Sequence, residues 1–221
     1  MSGWTEFTLA LLAFLASHMI PARPRVRAAL VGALGLRPYI LGYSLLSVLI
    51  LIWLVSATAQ APYVQVLPPH AALRWAPALL MALACPLIVA GMSMRNPFSF
   101  GGLGRGSFDP EHPGILALSR HPLLLALLFW SLAHLLANGD LAHVILFGGF
   151  AAFSVAGMAL IDRRKRRMMG AEWDWLARNT ARFSVCGLSA LLHPHALMGG
   201  AALYLLFFAV HGTVIGLSPV P

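Results

Sequence analysis

Histidine is the residue type in this chain whose placement best suggests chemistry. Nine histidines occur among 221 residues, and most lie inside or beside long apolar stretches. Placing a charged side chain at the centre of a membrane helix costs about 2.5–3.5 kcal/mol, and ionisable residues there usually face the bundle interior with a partner. We therefore expect the histidines near these stretches to have specific partners or a function.

His18 and His121 are the first candidates for a metal site. His18 ends the first apolar stretch and His121 begins the fourth. Two neutral imidazoles are a common axial pair for haem iron. The pattern therefore makes His18 and His121 candidate iron ligands. Arg95, Arg105 and Arg120 would then lie near the haem propionates.

Other interpretations of the histidines stay open. A His-Pro pair at residues 121–122 is also typical of a simple helix start, where the imidazole caps an exposed amide. His134 lies 13 positions beyond His121, about 20 Å along one helix, so the two cannot bind the same atom. A hydrogen bond from His134 to Asn138 or to another helix is one alternative. His112, His134 and His211 also remain alternative ligands.

The composition places the chain in a lipid bilayer. It is 59% hydrophobic and 10% charged, with a mean hydropathy of +0.80, far from the composition of soluble domains. The formal charge of +8 would suggest nucleic acid in a soluble protein. Here the arginines lie between the apolar stretches, which is typical of topology signals beside anionic lipid headgroups. We expect no nucleic-acid partner.

The apolar stretches predict an all-α, polytopic transmembrane bundle of about six helices in a single domain over 1–221. A hydrocarbon core about 30 Å thick needs roughly 20 apolar residues in helix. Six segments qualify: 4–20, 38–59, 72–93, 121–138, 140–161 and 196–216. The first has Glu6 and no basic residue before its apolar run, so we interpret it as a retained helix rather than a signal peptide.

The basic residues predict the orientation of these helices. They fall between spans one and two, three and four, and five and six, where the run 163–167 is predicted as loop. Only Arg74 falls on the opposite side. Because cytoplasmic loops carry the excess of Lys and Arg, both termini should be non-cytoplasmic. A bacterial inner membrane is the expected location.

Two connections have their own character. Residues 138–140 form so short a link that spans four and five should make an antiparallel hairpin. Residues 170–178 contain Trp173 and Trp175 beside acidic residues, which predicts a short helix at the membrane interface.

Several motifs together resemble the NnrU family of bacterial membrane proteins. The most specific is the spacing from Arg-His-Pro at 120–122 to Ala-His-Leu at 133–135, followed by Asn138-Gly139-Asp140. The further matching pieces are Ser17-His18-Met19-Ile20-Pro21, Asn96-Pro97, Asp162-Arg163-Arg164-Lys165, His211 and the segment 216–221. The resemblance runs nearly from end to end.

The resemblance implies a haem protein. The NnrU family is named for a link to denitrification and is similar to the plant zeta-carotene isomerase, a membrane enzyme that uses haem b bound through histidines to isomerise a polyene. By that likeness His18 and His121 would be the axial pair of haem b. Reduction of the iron would free one axial position for a double bond or a small ligand such as nitric oxide. An accessory role beside a nitrite or nitric oxide reductase system is equally implied.

A second resemblance points to a different class of function. Arg120-His121-Pro122 and the later segment 170–176 are also similar to the isoprenylcysteine carboxyl methyltransferases, in which such segments form an S-adenosylmethionine site at the cytoplasmic face. This chain has Leu124 where an aromatic residue is common and Ala126 where glycine is frequent. A methyltransferase-like protein and a noncatalytic assembly factor therefore stand as alternatives.

Overall fold

The fold is all-α, as the apolar stretches predict. A computed structural model describes residues 3–21, 23–68, 70, 73–104, 106–217 and 219, and these residues contain helices and no strand. The α-helices are α1 (Gly3–Met19), α2 (Pro24–Leu34), α3 (Leu36–Gln60), α4 (Ala76–Ser93), α5 (Pro122–Ala137), α6 (Leu141–Met169), α7 (Ala171–Ala177) and α8 (Pro194–Ile215). Short 3-10 segments lie at Gly114–Ala117 and Val185–Leu192.

Each of the six predicted spans coincides with a helix, but these helices differ in length. Among the described residues α3, α4, α6 and α8 are long and apolar enough to cross a membrane, and α1 with α2 counts as a fifth if that bent pair is one span. Helix α5 has 16 residues, just under the lower limit of about 17 for a span. The chain is an integral membrane protein. The count of about six and the orientation of the termini stay predictions.

The prediction of a loop at 163–167 is wrong. Helix α6 continues to Met169, so the basic run forms its last turns. Arg and Lys are good helix formers, and positive charge is favourable at the C-terminal end of a helix. Gly170 follows with φ +58°, a left-handed conformation that stops the helix. The last turns of α6 therefore position polar side chains beside the loops.

The described residues form two compact units. The first comprises the described parts of Met1–Leu67 and Asp140–Leu146. Here α1 packs on α3 through buried Phe7, Ala10 and Leu54. Most large side chains of α3 are exposed, Leu41 at 71%, and an apolar face of this kind suits contact with lipid.

The second unit comprises the described parts of Pro68–Gly139 and Phe147–Pro221. Its core joins α4, α5, α7, α8 and the two 3-10 segments, with Leu87, Phe98 and Leu116 fully buried. Gly200 of α8 lies so close to Pro86 of α4 that a Cβ atom would be 2.6 Å from the proline Cγ. This close approach of α4 and α8 holds the elements that carry the polar sites of the second unit.

Candidate functional site

A buried carboxylate near the end of α6 collects four hydrogen bonds. Asp162 accepts from Arg120 Nε at 3.2 Å and Nη2 at 2.9 Å, from Arg182 Nε at 3.1 Å and from His121 Nε2 at 2.8 Å. The side chain of Asp162 is 7% exposed and that of Arg120 is 15% exposed. The bidentate contact of Arg120 with Asp162 is the strongest geometry for an arginine–carboxylate pair.

Local backbone pairing brings these side chains together. The segment before α5 runs beside residues 180–184, with Arg120 N donating to Ala181 O at 2.7 Å and Ser184 N to Leu118 O at 2.9 Å. The hydroxyl of Ser119 donates to Arg182 O at 2.8 Å. This pairing holds Arg120 and Arg182 on one carboxylate, so the cluster joins the start of α5 to α6 and to the segment after α7.

The predicted propionate arginines have other roles or positions. The guanidinium of Arg120 also donates to Thr180 O at 3.1 Å and lies 5.4 Å from the centre of the Trp173 ring. Arg95 is exposed, and its hydrogen bond to Gly106 O is long, at 3.4 Å. Arg105 lies outside the described residues. Arg120 therefore belongs to the Asp162 cluster, and the propionate assignment stays a prediction for all three arginines.

His121 is completely buried, at 0% exposure. A carboxylate only accepts, so His121 Nε2 carries the hydrogen that Asp162 receives. In the neutral ring Nδ1 then holds a lone pair, and this atom has no hydrogen-bond partner among the described residues. His121 is the N-cap residue of α5 and Pro122 lies in the first turn, as the helix-start interpretation expects, but the imidazole makes no capping bond. Metal-binding imidazoles also donate their other ring N–H to a carboxylate, so the ligand role of His121 stays a prediction.

His18 lies in the first unit, whereas His121 lies in the second, and their pairing stays a prediction. The Nδ1 atom of His18 is 2.9 Å from the carbonyl oxygen of Phe14, one turn earlier in α1. The two rings stack with centres 4.1 Å apart. Phe14 thus holds the half-buried imidazole of His18 against α1.

His112 is exposed, and its Nδ1 is 2.8 Å from Asp109 Oδ2. The hydrogen bond to Asp109 raises the pKa of His112. The imidazole thus has a carboxylate partner in the long loop, which makes His112 a suitable control for experiments on the other histidines.

A cavity of about 700 Å³ lies within the second unit. Its polar lining consists of His70, Arg74, His134, Asn138, Tyr204 and His211. Its apolar lining includes Leu73, Met81, Phe207 and Phe208. Concave, mainly apolar cavities of roughly 300–1,000 Å³ with a few convergent polar groups are the usual form of a small-molecule site.

His134 of α5 and His211 of α8 have matching protonation. His134 Nδ1 is 2.9 Å from Trp130 O, and His211 Nδ1 is 2.7 Å from Leu217 O. A carbonyl oxygen only accepts, so each Nδ1 carries the hydrogen and, in the neutral rings, each Nε2 holds the lone pair. A metal-binding imidazole is usually oriented by donating its other ring N–H to a carboxylate, a backbone carbonyl or water.

The distance between these rings fits an axial pair. Their centres are 6.4 Å apart and their planes differ by 35°. With metal–nitrogen bonds of about 2 Å, two imidazoles on opposite sides of one ion have centres roughly 6 Å apart. No group of three or more His, Cys, Asp and Glu that could hold a bare metal ion occurs among the described residues. Haem needs only two axial side chains, because the porphyrin supplies the other ligands.

Sequence reasoning did not pair His134 with His211. The two are far apart in the chain, and helix periodicity does not tell which faces of α5 and α8 meet. It also expected Asn138 to contact the His134 ring, whereas the amide of Asn138 donates to the backbone oxygen of His134 at 2.8 Å. Arg74 is the one basic residue on its side of the predicted membrane, and it lines the same cavity. Its unusual position was the sequence signal that could have pointed to this cavity.

Comparison with known proteins gives one match. The family model described as NnrU protein matches residues 6–219, nearly the whole chain. No curated protein matches, and no solved structure matches.

Proposed function

The chain belongs to the NnrU family, and from this membership we propose that it is an integral membrane protein that binds haem b in the cavity between α5 and α8. His134 and His211 would be the axial ligands. The proposal differs from the pairing of His18 with His121 because His134 and His211 line one cavity within the second unit, whereas His18 and His121 lie in different units.

The observation that carries the proposal is the shared protonation of the two rings. Both imidazoles donate Nδ1–H to a backbone carbonyl oxygen, which sets the orientation of the rings, and both residues line one cavity. The ring of His134 is also packed between aromatic side chains, with centres 4.7 Å from Trp130 and 4.9 Å from Phe147. A ring held in this way is oriented before the ligand arrives, which lowers the cost of binding.

The remaining lining residues would bind the rest of the group. Phe207 and Phe208 offer apolar surface for a porphyrin face, and the guanidinium of Arg74 is a cation suited to a propionate. Bound haem would supply one-electron redox chemistry and, with one axial position open, a place for a small ligand or a double bond. The protein would orient the cofactor and limit access of water.

The reaction itself stays a prediction. A haem-dependent isomerase and an accessory role in nitrite or nitric oxide reduction both follow from the family resemblance. The aromatic and apolar lining of the cavity is suited to an apolar substrate, which favours the isomerase type. A methyl-donor site has less support, because Arg120 and Trp173 of the matching segments are packed against each other and against Asp162 and Phe98.

The absorption spectrum of the purified protein tests haem binding. The protein should be expressed with added haem precursor, purified in detergent without a polyhistidine tag, and measured before and after dithionite. We expect a Soret band and sharpened visible bands on reduction, because two imidazoles favour a six-coordinate iron. A spectrum with only aromatic absorbance near 280 nm, despite a supply of haem, would contradict the proposal.

A further inference from the structure

A second pair of histidines lies at the start of α8. His193 is the residue before the helix and His195 is the second residue within it. Their Nδ1 atoms are 2.7 Å apart. The ring centres are 4.6 Å apart, with the planes at 64°. Both side chains are exposed, and neither lines the cavity of His134 and His211.

The hydroxyl of Ser93 fixes the protonation of this pair. Ser93 donates its single hydrogen to Ala90 O, at 3.1 Å. The hydroxyl oxygen of Ser93 must then accept from His195 Nε2, which is 3.0 Å away. In the neutral ring, Nδ1 of His195 therefore holds a lone pair directed at Nδ1 of His193. A single hydrogen links the two rings.

This arrangement is typical of a metal-binding imidazole. Such a residue places one nitrogen on the ion and donates the other N–H to an oxygen of the protein. With metal–nitrogen bonds of about 2.0 Å, adjacent ligands in a square-planar site are roughly 2.8–2.9 Å apart. The two Nδ1 atoms of His193 and His195, at 2.7 Å, need little movement to reach that separation.

We infer that His193 and His195 form a binding site for a divalent transition-metal ion, with both Nδ1 atoms as ligands and the hydrogen between them moved to Nε2 of His193. Cu²⁺ is the ion that the geometry favours, because it prefers square-planar nitrogen ligands and binds most tightly in the divalent series. No third His, Cys, Asp or Glu joins the pair within the described residues. Water or an external ligand would fill the other positions, since the pair lines an open cavity of about 790 Å³.

The site is independent of haem binding. The copper site depends on the start of α8 and the end of α4. The haem proposal depends on His134 near the C-terminal end of α5 and His211 near the C-terminal end of α8. Removing one pair therefore leaves the other pair in place. The two proposals can fail separately.

Copper titration of the haem-free protein tests the site. The protein should carry a streptavidin-binding tag, with glycine as a competing chelator, and binding is followed by calorimetry and by electron paramagnetic resonance. We expect one Cu²⁺ per chain with nitrogen hyperfine structure. His195→Ala and His193→Ala should each weaken binding more than about ten-fold, and Ser93→Ala, which removes the partner of the second ring nitrogen, by about ten-fold.

His112→Ala is the matched control, since it removes an exposed histidine whose partner is a carboxylate. It should bind copper like the unmodified protein. Equal affinity in His193→Ala, His195→Ala and the unmodified protein would overturn the site. Loss of copper binding only in His134→Ala would also overturn it. His193 makes no side-chain capping bond to α8, so His193→Ala should retain the fold, which circular dichroism would show.

Discussion

Replacing His134 with alanine is expected to remove haem from the purified protein. The substitution deletes one axial ligand, so the affinity for haem should fall by more than about ten-fold, or roughly 1.4 kcal/mol. His211→Ala should have a comparable effect, because it deletes the second proposed ligand. Haem content per chain, measured as the pyridine haemochrome after expression with added precursor, checks both variants.

Added imidazole separates a ligand role from a structural one. In His134→Ala the deleted ring leaves a space that free imidazole can fill, so the Soret band should return when imidazole is added. A purely structural role would show no such rescue. His112→Ala should keep its full haem content, because that side chain lies in an exposed loop beside Asp109.

The His18 and His121 pair makes the opposite prediction. If those residues hold the iron, His18→Ala and His121→Ala will lack haem while His134→Ala and His211→Ala retain it. That result would overturn the assignment to the cavity between α5 and α8 without overturning haem binding itself. The four variants measured together therefore distinguish the location of the haem site from haem binding itself.

Replacing Asp162 with asparagine is expected to destabilise the protein strongly. The change leaves Arg120 and Arg182 without their carboxylate, and it weakens the hydrogen bond that the buried His121 ring donates to residue 162. Removing one member of a buried ion pair costs about 3–5 kcal/mol. We expect a loss near 3 kcal/mol, because Arg182 is 52% exposed and partly solvated. Equilibrium unfolding in detergent measures the change in the free energy of unfolding.

Asp174→Asn is the matched control for this experiment. Asp174 lies 3.6 Å from Arg166, and both side chains are about 70% exposed. Exposed pairs of this kind contribute little, so the stability of Asp174→Asn should be close to that of the unmodified protein. Equal stability of Asp162→Asn and Asp174→Asn would contradict the structural role of the Asp162 cluster.

The helices were predictable because apolar length is a local property of the chain. All six expected segments became helices, and the short helix expected within 170–178 is α7. The end of α6 was placed too early, because charge after Ile161 was taken as a boundary. The helix instead continues to Met169 and ends before Gly170, which has a positive φ.

The sites were predictable in residue type but not in pairing. The Arg-His-Pro motif drew attention to Arg120 and His121, but their shared partner Asp162 comes some forty positions later, and its contact with them depends on how α6 packs. The rule that buried charges are paired would have pointed to Asp162, one of only seven acidic residues in the chain. His134 and His211 meet only through the packing of the second unit.

Electron paramagnetic resonance of the oxidised haem protein tests the central claim most directly. Two imidazole ligands give low-spin ferric iron, so the unmodified protein should show a low-spin signal. His211→Ala, loaded with haem at high concentration, should convert to a high-spin signal and return to low spin when imidazole is added. A high-spin signal in the unmodified protein, or an unchanged low-spin signal in both His134→Ala and His211→Ala, would contradict axial ligation by this pair.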